Sequence, residues 1–102
     1  MYLLNYDKSS GVITNFQIEE PEDGLMLYEA CINHVLEHCT DDEIFSSTRC
    51  TRDELYWAQQ RLITVLAYFA DKELLPERCL IKENIISDPI ELEGLGIIKS
   101  ND

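Results

Sequence analysis

The spacing of apolar and polar residues changes period as the chain proceeds. Residues 2–6 (YLLNY) and 12–18 (VITNFQI) are rich in aromatic and β-branched types, which suit a pleated, half-buried surface. Asp7-Lys8-Ser9-Ser10-Gly11 lies between them. This pattern predicts a β-hairpin with a five-residue loop in which Gly11 takes a positive φ. Val12, Thr14, Phe16 and Ile18 would share one face; Ile13, Asn15 and Gln17 would share the more polar one. A lone hairpin is marginal in water, so it is expected to pack on helices or pair with another strand.

The period then lengthens. Over residues 24–39, Leu25, Tyr28, Ile32, Val35, Leu36 and Cys39 fall on one helical stripe, with Glu29, Asn33 and Glu37 opposite. Pro21 and the acids around it suit a helix start. Thr40-Asp41-Asp42-Glu43 and Thr51-Arg52-Asp53-Glu54 both have the Thr-x-x-Glu form of a capping box. The first predicts a short turn of helix through Ile44 and Phe45. The second predicts the longest helix, residues 52–74, ended by Pro76. Leu55, Ala58, Leu62, Val65, Leu66 and Phe69 form its first apolar stripe; Trp57, Arg61, Thr64 and Tyr68 group on the other side. Further on, residues 79–86 and 90–98 are apolar and β-branched, and Gly94 and Gly96 disfavour helix in the second. One or two short strands are expected there. The expected fold is therefore α+β in one domain, residues 1–102. An N-terminal hairpin and short C-terminal strands would pack on two main helices, about 24–39 and 52–74.

Charge changes this ordinary picture. The net charge is −12, and residues 1–48 hold ten acids against one base, Lys8. Between Lys8 and Arg49 lie Glu19, Glu20, Glu22, Asp23, Glu29, Glu37, Asp41, Asp42 and Glu43, with no Lys or Arg among them. Helix capping explains several of these carboxylates but not the absence of cations, because surfaces normally intersperse both signs. Such a field repels nucleic acid and anionic membrane and attracts a basic protein surface. The plainest basic partner is an enzyme whose own substrate is a polyanion. Arg49, Arg52 and Arg61 could form a local basic patch, but Asp53 and Glu54 neighbour it.

Chemistry-bearing motifs are sparse. Cys31, His34 and His38 share one helix side, but no Glu follows His34 in the HExxH pattern and no fourth ligand is fixed. A Cys–His dyad drawn from them lacks an orienting group and an oxyanion loop. Asp41-Asp42-Glu43 lacks the alternating ligands and central Gly of a calcium loop. Trp57 and Arg61, four apart on a helix, can stack as a cation–π pair. With Tyr68 they are residue types that dominate interface hot spots, unless the helix is buried all round beneath the hairpin. The four cysteines contain no CxxC pair, the opening MYLLNYDK has no basic n-region, and no apolar run approaches a membrane span. The expectation is a cytosolic chain with reduced cysteines.

In composition the chain resembles bacterial toxin-immunity proteins and phage anti-defence inhibitors that mimic polyanions; the likeness lies in size and acidity and carries no shared motif. It implies a non-enzymatic inhibitor of a basic, nucleic-acid-processing protein, without cofactor, metal, membrane or direct nucleic-acid contact. The nine carboxylates named above would supply the charge, with Trp57, Arg61 and Tyr68 as further contacts. The alternatives are an adaptor that forms a homodimer through the long helix, and a metal-binding sensor built on Cys31, His34 and His38.

Overall fold

A computed structural model describes residues 1–99. The fold is α+β, with elements in the order β1 (Tyr2–Ser9), β2 (Val12–Glu19), α1 (Glu22–His38), α2 (Asp41–Thr48), α3 (Arg52–Phe69) and α4 (Pro89–Gly94). Single 3-10 turns at Lys72–Leu74, Glu77–Cys79 and Lys82–Asn84 join α3 to α4.

Both capping boxes form as their sequences require. The Thr40 N–H donates to Glu43 Oε1 at 2.9 Å, and the Glu43 N–H returns to Thr40 Oγ1 at 3.2 Å. Thr51 and Glu54 repeat the exchange at 3.2 Å in both directions. Each box satisfies N–H groups that a helix start leaves unpaired. Arg52 then ties α3 to the end of α1. Its guanidinium donates to the Leu36 and Cys39 carbonyls, both at 2.7 Å, and to Asp41 Oδ1 at 2.7 Å.

α1 and α3 pack together, and the main core sits between them and the segment that follows α3. Ile63, Leu66, Leu75 and Cys79 form its centre, with Leu25, Met26, Ala70 and Ile85 around it. The packed face of α1 is rotated from the expected stripe. Glu29, expected on the outer face, is 1% exposed. Thr64, also expected to face outward, is buried under the C-terminal segment, where its hydroxyl accepts the Ile86 N–H at 3.0 Å.

Three expectations about element boundaries change. The hairpin turn is Ser10-Gly11 alone, not five residues. Both have positive φ, 52° and 82°, the twist that suits a tight hairpin. α3 stops at Phe69 rather than residue 74, because Ala70 is extended and the Asp71 carboxylate accepts the Glu73 N–H at 3.0 Å, starting a new turn. Finally, the C-terminal strands are not formed. Leu75, Cys79, Ile86 and Leu92 each bury one side chain against the helices, so the segment follows the helix surface instead of alternating across a sheet. Asp88 caps α4 and Pro89 opens it.

The hairpin meets the helices only lightly, with Met1 Sδ 4.0 Å from the Tyr28 hydroxyl of α1. Its two strands form the whole sheet, and every residue from Tyr2 to Glu19 is exposed. No third strand joins it among the described residues, and no broad packing on a helix covers it. The molecule is correspondingly open. Its accessible surface is 7719 Å², against about 5,900 Å² for a compact monomer of this size. Its radius of gyration is 15.2 Å, against about 13 Å.

Candidate functional site

The nine carboxylates separate into an interior one and two exposed groups. Glu29 is the interior one. Arg78 Nε donates to both its oxygens at 3.1 and 2.8 Å, and Arg78 Nη2 donates to Oε1 at 2.7 Å. Gln59 Nε2 donates to Glu29 Oε2 and to Asn33 Oδ1, each at 3.0 Å. The bond to Glu29 holds the Arg78 guanidinium above its ordinary range. Glu29 therefore leaves the proposed contact surface. Its charge is spent on joining α1 to the segment after α3, because an unpaired carboxylate would not tolerate this burial.

The first exposed group lies at the hairpin–α1 junction: Glu19, Glu20, Glu22 and Asp23. No Lys or Arg pairs with any of them among the described residues. Glu20 lies over Gly24, whose missing side chain leaves it room, and accepts the Tyr28 hydroxyl at 3.0 Å. That bond holds the Tyr28 phenol above its usual range. Glu22 and Asp23 occupy the first turn of α1, where the helix dipole favours negative charge.

The second group surrounds the opposite end of α1: Glu37, Asp41, Asp42 and Glu43. α1 has 17 residues, so its length keeps the two groups about 25 Å apart at ~1.5 Å per residue. This group is partly neutralised and partly used in folding. Asp41 is paired with Arg52, and Glu37 lies 3.9 Å from His38 Nε2. Glu43 is held below the usual carboxylate range by its bond from the Thr40 N–H. Asp42 is exposed and unpaired among the described residues.

On α3 the Arg61 guanidinium lies 3.6 Å from the Trp57 ring centroid, as the spacing of four predicts. Trp57 is 59% exposed, and Tyr68 is exposed as well. The hairpin does not cover them. Arg61 also approaches Glu91 of α4 at 3.8 Å. Arg52 and Arg61 are thus engaged internally, and no open basic patch forms from them.

The His34 and His38 rings lie with centroids 4.4 Å apart, tilted 41° to each other. Among the described residues no group of three or more His, Cys, Asp or Glu is placed to hold a metal ion. All four cysteines are free; Cys79 is fully buried, and burial pushes its thiol up to about 11. The cleft lined by Tyr56, Gln59, Gln60, Ile63 and Asn84 measures ≈ 180 Å³; a wider surface depression of ≈ 500 Å³ lies along Gln60, Lys82, Glu83, Ile85 and Glu91. No helix is long and apolar enough to cross a membrane among the described residues.

What the sequence did not reveal is the uncovered hairpin face. Cross-strand partners share a face, and the register pairs Leu3 with Ile18 and Tyr6 with Phe16. Asn5–Gln17 and Asp7–Asn15 alternate with them on the other side. Register shifts between Leu3 and Asn5 and between Asp7 and Lys8 break the simple alternation at both ends, so Val12 and Thr14 do not continue the Phe16–Ile18 row as expected. The apolar residues were legible as strand formers; their exposure was not.

Comparison with protein-family models, curated proteins and solved structures finds no match to this chain.

Proposed function

We propose that this chain is a non-enzymatic binding protein that inhibits a basic, nucleic-acid-processing protein, in the manner of an immunity or anti-defence inhibitor. The observation that carries the reading is the junction group Glu19, Glu20, Glu22 and Asp23, four carboxylates that no Lys or Arg neutralises among the described residues. Asp42 extends the field at the far end of α1. Such surfaces act through association rate and partner choice, and they weaken as salt screens them. A reducing, cytosolic setting belongs to the same proposal, with four thiols left unpaired.

The test is affinity capture with immobilised protein at low and high salt. The control carries Glu19→Gln, Glu22→Gln, Asp23→Asn, Glu37→Gln and Asp42→Asn, which spare Glu29, the Asp41–Arg52 pair and both capping boxes. Basic nucleic-acid enzymes should be retained at low salt by the parent chain, inhibited by it, and lost with the variant. Equal retention by the variant would sink the proposal.

A second reading, an adaptor that dimerises through α3, draws on the exposed Trp57 and Tyr68. A salt-insensitive dimer lost on Trp57→Ala and Tyr68→Ala would favour it.

A further inference from the structure

We infer that the apolar face of the hairpin is a homodimer interface, closed by a second copy of this chain stacked face to face and antiparallel across a two-fold axis. The inference goes beyond inhibition of a basic partner and stands independently of it.

The face needs an occupant. Leu3, Tyr6, Phe16 and Ile18 form one row by register, and Phe16 is 61% exposed. Met1, Leu4 and Ile13 are exposed around them, whereas Tyr2, paired with Glu19, turns to the other face. Apart from Tyr2, these residues together expose on the order of 700 Å², above the ~300–600 Å² of the largest patch on a typical monomer. That is close to the ~800 Å² each partner contributes to a stable interface. A two-stranded hairpin does not hold its shape alone in water, whereas two stacked hairpins supply the missing layer.

Charge identifies the occupant as a second copy. Lys8, the lone Lys or Arg of residues 1–48, sits near the hairpin tip. The carboxylates Glu19, Glu20, Glu22 and Asp23 sit at its root, about 20 Å away along the strand. An axis passing near Asn5 and Tyr6 lays the tip of each hairpin over the root of the other. Lys8 of one copy then faces the acidic junction of the second, and symmetry makes the contact twice. Between tip and root the hairpin carries one further charged side chain, Asp7, whose partner Asn15 places it on the polar face. The stacked row is therefore free of like-charge repulsion, although each copy carries −12. A parallel stack would set root against root and is disfavoured for that reason.

Sedimentation equilibrium on the full chain at about 10 to 200 µM tests this, since association is concentration-dependent. The parent protein should be a dimer in this range. Tyr6→Ser with Phe16→Ser should weaken it at least about a hundredfold, since buried aromatic anchors dominate interface energy. Helical circular dichroism should stay unchanged, because Tyr6 and Phe16 are exposed rather than buried against a helix. Lys8→Glu should weaken the dimer roughly three- to tenfold, and adding Glu20→Lys, one residue beyond Glu19 and on the Ile18 side by alternation, should restore it. A monomer throughout the range, or a dimer indifferent to the Tyr6 and Phe16 changes, would overturn the interface. A dimer indifferent to Lys8→Glu would overturn the antiparallel arrangement. A parent chain that dimerises but retains no basic partner would count against the inhibitor reading alone.

Discussion

Glu29 shows how one residue can defeat a periodic reading. At about 100° per residue it lies only about 40° from Leu25, at the edge of the stripe rather than opposite it, and Arg78, 49 residues later, draws it inside. Spacing reports only the helix it is measured on; a compensating cation from elsewhere is invisible to it. The energetic consequence is asymmetric. Arg78→Ala leaves a buried carboxylate uncompensated and should cost about 3–5 kcal/mol in urea unfolding. The double change Arg78→Met, Glu29→Met should cost much less, and an equal loss in both would contradict the pairing. Cys79 offers a pH test. Its folded thiol is raised to about 11 by burial, above the usual 9.0. The unfolded chain therefore releases the proton first as pH rises, so this group's contribution is complete below pH 9 and is lost as pH rises toward 11. Disulfide-exchange labelling should reach exposed Cys31 in the native protein and Cys79 only on unfolding; native labelling of Cys79 would refute its burial.

Elements were legible in proportion to how local their causes are. The two Thr-x-x-Glu boxes need four residues each, and both form. The hairpin strands follow from side-chain type, but the turn shortened because Ser10 accepts a positive φ. The C-terminal segment failed for a non-local reason. A strand needs a neighbour, and the hairpin edges lie away from it, so its N–H groups turn to other acceptors, including Thr64 Oγ1. Thr51→Ala should lower stability by about 1 kcal/mol through the lost cap. Thr64→Val keeps the shape but orphans the Ile86 N–H, and should cost about 1–3 kcal/mol. Chemical denaturation measures both; a neutral Thr64→Val would remove the staple from this description.

At the scale of the molecule, charge was countable from the sequence but its distribution was not. Folding withdrew Glu29, paired Asp41 and divided the remainder between the ends of α1. It also left an apolar hairpin standing clear of the helices, flanked at its root by acids. Under the proposed function, charge would govern approach to a partner and the apolar face would govern assembly.

The decisive measurement is the dissociation constant of a captured basic partner, titrated across ionic strength for the parent chain and the five-site neutral variant. Affinity should fall steeply with added salt for the parent, start lower for the variant, and respond to salt less in it. Superimposable curves for the two proteins would mean that the carboxylates do not govern binding.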